Sequence, residues 1–278
     1  MKWLDTWLLL GIACCGAGMA RAQLQLLPDR EPQRVFAGEA LKITAAWRNA
    51  GDHAVTAELR IRLYQASSGT AAPLSEKPWK TITLLPGQTV LESALIDFPA
   101  VTAETRFLIQ WLEATNRVAG RTEALVYPAN LLGELRPLLG DAHWGILDPN
   151  NELRPLFKQS RLEFVDLGEA ALEDFQGRLA IIGPFSAEAQ MREGLARTIR
   201  EMARKGVAVV WIQPPPPRDE IKPSFYLVPE GKSAVVVVQA DLISNLAERP
   251  QSQLNLIQVC RLALHPEPFS LPGLSHQP

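Results

Sequence analysis

The sequence predicts an α+β chain of two domains, an antiparallel β-sandwich followed by an α/β domain on a parallel sheet. Three observations predict it. Between residues 33 and 127 apolar residues recur at every second position, the period of a strand with one buried face. From about residue 130 short, wholly apolar runs alternate with segments of helical spacing, the mark of parallel strands covered on both faces. Ahead of both, a short apolar stretch ends in Ala20-Arg21-Ala22, the small-residue pattern at which a secretory signal is cut.

Residues 1–22 read as that signal. Lys2 precedes an apolar stretch from Trp7 to Ala20, and small residues at Ala20 and Ala22 place the expected cut before Gln23. The stretch is short and rich in Gly and Ala for a membrane span, so membrane contact is expected only if the signal stays uncleaved. A periplasmic or extracellular location follows. Cleavage removes Cys14 and Cys15 and leaves Cys260 alone, which excludes an internal disulfide and assigns stability to burial in a chain of this size. The cut chain keeps 26 basic and 29 acidic residues, a net charge of −3. That balance supplies no basic footprint for nucleic acid. His53, His143, His265 and His276 are scattered along the chain and share no zinc-ligand spacing with Cys260. Neither Gly-x-Gly-x-x-Gly nor Gly-Lys-Ser/Thr occurs, so no phosphate-cradling loop is expected. No metal and no cofactor is expected.

In the first domain, residues 23–128, Leu41, Ile43, Ala45 and Trp47 form one strand and Val55, Ala57, Leu59, Ile61 and Leu63 the next. Asn49-Ala50-Gly51-Asp52 joins them with residues that tolerate positive φ. Further strands are expected at 81–85, 90–98, 107–112 and 122–126, with Pro86-Gly87 separating two of them. Short strands punctuated in this way give an antiparallel sandwich. Trp47-Arg48-Asn49-Ala50-Gly51, the strand Leu59 to Tyr64 and Leu85-Pro86-Gly87-Gln88 resemble the immunoglobulin-like, CARDB-like adhesion modules of bacterial surface proteins. The resemblance covers about 95 residues and implies a spacer or docking role.

In the second domain, residues 129–268, apolar runs at 143–147, 162–165, 179–182, 207–212 and 234–239 are the expected strands. Met191, Leu195, Ile199 and Met202 give one helix, stopped by Gly206. Leu153, Leu156 and Phe157 mark a shorter helix, and Leu256, Ile257, Cys260 and Leu264 mark the last. The alternation predicts a doubly wound, flavodoxin-like sheet, with residues 269–278 as a tail. The run from Asp174 through Leu179-Ala180-Ile181-Ile182-Gly183-Pro184, the amphipathic helix, and Lys205-Gly206-Val207 to Trp211 resemble class I glutamine amidotransferase-like domains. Such domains also occur without catalytic residues, as accessory pieces of secreted glycoside hydrolases. The family's Gly-x-Cys-x-Gly elbow is missing here, so the resemblance implies no glutaminase activity.

Ligands of open parallel sheets bind beyond the carboxyl ends of the strands. Those ends place Asp148, Asp166, Ser186, Gln213 and Asp241 near one rim, with Asp148 and Asp241 as acceptors for hydroxyl groups and Trp144 as a stacking surface. The competing assignment makes Asp148, Ser186 and Asp241 helix caps, since strand-to-helix junctions favour Ser and Asp there. Ser186, Asp241 and His265 follow the chain order of an α/β-hydrolase triad, but Gly183-Pro184-Phe185-Ser186-Ala187 is not a Gly-x-Ser-x-Gly elbow. Glu113, Glu123 and Glu163 show no pairing and read as solvated faces. Cys260 stands at helical spacing from Leu256 and Leu264 and reads as a small core residue. Pro214 to Pro217 read as a stiff exit from a core strand. The functional expectation is a secreted, non-enzymatic binding or assembly protein whose partners are other exported proteins or a carbohydrate. The carbohydrate element is implied by the family resemblance alone. The rivals are a hydrolase using Ser186 and a structural subunit of an envelope complex.

Overall fold

The computed structural model describes residues 24–38, 40–67, 69–168, 172–184, 194–215 and 224–266. The signal segment 1–22, Ser186, Met191 and the tail 269–278 lie outside the described residues. The fold is α+β, with three sheets. The chain divides into two compact units. Among the described residues, the first takes 24–31 with Lys42–Leu95 and Leu108–Glu123; the second takes Pro32–Leu41, Ile96–Phe107 and 124–266.

Eight strands precede the first helix: β1 (Leu24–Leu27), β2 (Gln33–Phe36), β3 (Ala40–Asn49), β4 (Val55–Ala66), β5 (Ala71–Leu84), β6 (Thr89–Asp97), β7 (Thr105–Glu113) and β8 (Val118–Tyr127). They form a three-stranded sheet in the order β1-β3-β6 and a five-stranded sheet in the order β2-β8-β7-β4-β5. In β4 the alternation holds residue by residue, with Leu59, Ile61 and Leu63 buried. The two sheets meet through tryptophans: Trp47 of β3 lies edge-on to Trp111 of β7 at 5.5 Å, and Trp79 of β5 completes the cluster. The Trp111 indole N–H donates to Thr122 Oγ1 at 3.0 Å, which satisfies the one polar group of a fully buried ring. Asn49 closes the β3–β4 turn: its amide donates to the carbonyls of His53 and Leu84, and its side-chain oxygen accepts from the Gly51 N–H.

Two features depart from the expected sandwich. Strand β5 is 14 residues long rather than the five expected. Pro73, Pro78 and its charged residues break the apolar alternation, and they are tolerated because β5 is an edge strand with one side free of ladder partners. The pairing is also not wholly antiparallel. Strand β2 runs parallel to β8, from Gln33 opposite Ala124 to Phe36 opposite Tyr127; four residues carry too little pattern to disclose it, and about 80 residues of chain make the crossover.

The remaining elements are α1 (Leu135–Leu139), β9 (Trp144–Leu147), α2 (Arg154–Gln159), β10 (Val165–Asp166), β11 (Leu179–Ile182), α3 (Leu195–Lys205), β12 (Ala208–Gln213), β13 (Phe225–Glu230), β14 (Ser233–Gln239) and α4 (Pro250–Leu264). Their sheet has the order β10-β9-β11-β12-β14-β13 and is parallel except for β13. The antiparallel edge corrects the expectation of a parallel sheet. Gly231-Lys232 links β13 to β14 directly, and so short a link permits only antiparallel pairing. One face of the sheet, with Ile146, Ile181, Val210 and Val236, packs against Phe157 of α2 and Leu256 and Cys260 of α4. The other, with Leu147, Ile182, Val209 and Val235, packs against Ile199 and Met202 of α3. Gly206, at φ 104°, ends α3. Gly145 is required by a close approach, since a Cβ there would stand 2.6 Å from the Leu167 side chain.

Burial of Cys260 pushes its thiol up to about 12, from an ordinary 9.0. Between those values the unfolded thiol is ionised and the folded one is not, so the folded state binds more protons and stability falls as pH rises through that window. The native thiol is expected to resist a thiol reagent at pH 8 and to react at once on unfolding. Fast labelling of the folded Gln23–Pro278 chain would contradict the packing described.

Candidate functional site

The carboxyl ends of β9, β11, β12 and β14 open onto a cavity of about 650 Å³. Its walls include Leu153 and Leu156 beside α2, Pro184 after β11, Pro215 after β12, and Asp241 and Leu246 after β14. Each wall residue follows a buried strand, so the sheet itself fixes the mouth of the site. The order β10-β9-β11 reverses direction at β9, and ligands of open α/β sheets gather at such a reversal.

Asp148 lies beneath this cavity, fully buried. One carboxylate oxygen accepts from the Glu152 N–H at 3.0 Å; the other accepts from the N–H groups of Leu153 and Arg154 at 2.8 and 2.9 Å. Those donors open α2 and have no partner within the helix. The Asp148 carbonyl accepts from Arg154 Nη1 at 2.7 Å, while Arg154 Nε and Nη2 donate to Asp166 Oδ1 at 3.0 and 2.7 Å. Asp148 and Asp166 therefore tie the end of β9 to α2 and β10. Asp148 forms no part of the cavity wall.

Asp241 is one of two exposed acids of the wall, with Glu152, and stands in the 3-10 turn Ala240–Ile243. Its backbone carbonyl holds the Ser244 N–H and hydroxyl at 3.4 and 3.0 Å. Glu152, Ser244 and Asn245 also line the cavity and were not legible as site residues. They sit on loops beyond the strand ends, and only Asn245 carries a local signal, a positive φ of 56° of the kind Asn tolerates.

Gln213 and Gln239 stand opposite one another at the ends of β12 and β14. By strand alternation they share the α3 face with Trp211 and Val237. The Gln239 side chain is buried and its Oε1 has no hydrogen-bond partner. Trp144 belongs elsewhere. It opens β9 at the amino edge of the sheet, a strand length from Asp148, and packs edge-on to Phe157 at 5.4 Å. Its expected place beside Asp148 is corrected, because the apolar ring is taken up by the core.

Ser186 lies outside the described residues. His265 follows the last turn of α4, whose first turns are anchored beside the cavity: Ser252 Oγ donates to the Ser244 carbonyl, Gln253 Nε2 to Leu246 and Asn255 Nδ2 to Leu242. A helix of 15 residues is about 22 Å long. Asn255, which holds Leu242 next to Asp241, precedes His265 by ten residues, about 15 Å of helix, too far for the hydrogen bond that a triad needs. Glu113 pairs with Arg117. No group of three or more His, Cys, Asp or Glu among the described residues is placed to hold a metal ion, and none of their helices is long and apolar enough to cross a membrane.

No family model and no curated protein matches this chain. Solved structures with partial likeness include the Pseudomonas fluorescens alkylpurine DNA glycosylase AlkC bound to DNA containing an abasic site analog, 16% identical with a TM-score of 0.28, covering 38% of this chain and 31% of that one. A β-glucosidase from Listeria innocua in complex with gluconolactone is 15% identical with a TM-score of 0.27, covering 38% and 16%. The GH3 β-glucosidase of Bifidobacterium adolescentis is 8% identical with a TM-score of 0.27, covering 38% and 17%. The matched region spans less than a third of each of these chains, and likeness at this level carries no argument about fold or function.

Capping and ligand contact make different demands on the two acids. Asp148→Ala should lower stability in urea unfolding by about 1–3 kcal/mol, the range for a lost cap with charge-assisted bonds. Asp241→Ala should change it by less than about 0.5 kcal/mol. Equal effects would contradict the division of roles.

Proposed function

We propose that the chain is an exported, non-enzymatic binding protein, accessory to carbohydrate processing, with the carboxyl-edge cavity as its site for a neutral oligosaccharide. In this reading an immunoglobulin-like sandwich over residues 23–128 serves as spacer. A flavodoxin-like domain over residues 129–268, related to the glutamine amidotransferase-like domains but without their cysteine, carries the site. The strand order of the large sheet, read from chain positions as 2-1-3-4-5 with an antiparallel edge, supports the second assignment. The facing tryptophan-linked sheets support the first.

The observation that carries the functional reading is the make-up of the cavity. Pro155 and Leu156 offer apolar surface to ring faces, while Asp241, Ser244 and Asn245 offer acceptors and donors to hydroxyl groups. A second reading, a subunit of an envelope complex, draws on Leu91 and Leu95. They are 74% and 62% exposed on one face of β6, and contiguous exposed apolar surface marks interaction sites.

The test is thermal unfolding of the Gln23–Pro278 chain with cellobiose, maltotriose and chitobiose. A ligand at about a hundred times its dissociation constant adds about 2.7 kcal/mol, visible as a raised midpoint. The proposal expects such a shift from at least one sugar and its loss in Asp241→Ala. No shift with any sugar, together with co-purification of other exported proteins, would favour the envelope subunit.

A further inference from the structure

A second cavity, of about 640 Å³, opens at the opposite, amino edge of the same sheet, between the ends of α1 and α2. It is independent of the site proposed above and its wall is polar. Five ionisable side chains line it: Arg136, Asp141, His143, Arg161 and Glu163. Elsewhere on the described surface several arginines are matched to acids, as in Arg62 with Glu76, Arg117 with Glu113, Arg154 with Asp166 and Arg204 with Glu230, while others such as Arg48 and Arg121 stand alone without an acid beside them among the described residues. Here the opposite charges share a cavity and are not matched. Among the described residues, no ion pair or side-chain hydrogen bond links Asp141, His143, Arg161 or Glu163 to a protein group.

The two arginines are held together by the backbone. Arg136 Nη2 donates to the Arg161 carbonyl at 2.9 Å. Arg161 itself follows α2 in the left-handed region, φ 54°, with its N–H bonded to the Lys158 carbonyl and the Leu162 N–H bonded to the Phe157 carbonyl. That geometry sets the Arg136 guanidinium against the Arg161 backbone, and both arginines line the cavity. Guanidinium forks bind carboxylates bidentately. Two acids on the same wall answer to a cationic group, and the half-buried Phe164 ring, packed on Trp144 at 5.8 Å, supplies an apolar side.

We propose that this cavity binds a small zwitterion, an amino acid or short peptide, with its carboxylate on Arg136 and Arg161 and its ammonium group on Asp141 and Glu163. A volume of about 640 Å³ lies within the roughly 300–1,000 Å³ of ligand pockets and accommodates a di- or tripeptide. Matched numbers of arginines and acids favour a ligand that carries both signs over a simple anion.

The test is isothermal titration of the protein with alanylalanine and its two blocked forms, N-acetylated and C-amidated. The proposal expects saturable binding of alanylalanine that weakens at least tenfold when either end is blocked and at high salt. Glu163→Gln should weaken binding at least fivefold while leaving the unfolding midpoint unchanged, because Glu163 is exposed and unpaired. Arg136→Gln should weaken it as well, with circular dichroism confirming the fold. Asp241→Ala should leave it unaltered, which separates this site from the carboxyl-edge cavity. Absence of binding at millimolar peptide, equal binding of the blocked peptides, or inorganic phosphate binding as tightly as alanylalanine would each overturn the proposal.

Discussion

The large sheet imposes the constraint on which its unit depends. Strands β9 and β11 are buried at every position, and the inner positions of β12 and β14 are apolar. A sheet without a polar face must be covered on both sides. Phe157, Leu256 and Cys260 cover one side and Ile199 and Met202 the other. Once both faces are closed, the ends of the strands and the edge strands β10 and β13 remain open to solvent. Two cavities of this unit lie at those ends, and another lies between α4 and Phe225 of the β13 edge.

Asp148 shows how the constraint reaches the candidate site. Strand β9 ends in the interior, so the turn into α2 begins with part-buried or buried backbone N–H groups that need a partner. A buried carboxylate that accepts from three of them resolves the conflict and seats Leu153 and Phe157 in the core. Arg154 then extends the same junction to β10 through Asp166. An acid in this position holds the β9–α2 junction and is absent from the cavity wall, whereas Asp241, on a turn past the end of β14, lines it. Chemically identical side chains at equivalent strand ends thus hold different roles, decided by whether backbone donors surround them.

Much of this was legible in the sequence. Alternation marked β3 and β4, apolar runs marked β9, β11, β12 and β14, and Gly206 marked the end of α3. Elements that bury little were not legible: β5 is masked by prolines that its edge position tolerates, β2 and β10 are too short to show a period, and β13 includes Pro229. The site was legible only as an edge. Position along a strand placed Asp148, Gln213 and Asp241 at the carboxyl end, but burial and partners depend on loops that carry no periodic signal. Trp144 was misplaced because an aromatic near a rim in sequence can stand at the strand's other end, and Arg136 with Arg161 meets only through a backbone carbonyl 25 residues away.

The central claim is that the carboxyl edge binds and does not transform its ligand. Amide hydrogen exchange of the Gln23–Pro278 chain tests it most directly, measured alone and with a pool of neutral oligosaccharides from cellulose, starch and chitin, with the sugars then weighed by mass spectrometry. The account predicts slowed exchange confined to residues 152–156 and 240–247 and oligosaccharides recovered at unchanged length. Shortened oligosaccharides, or an exchange pattern that the sugars leave unaltered at that edge, would contradict it.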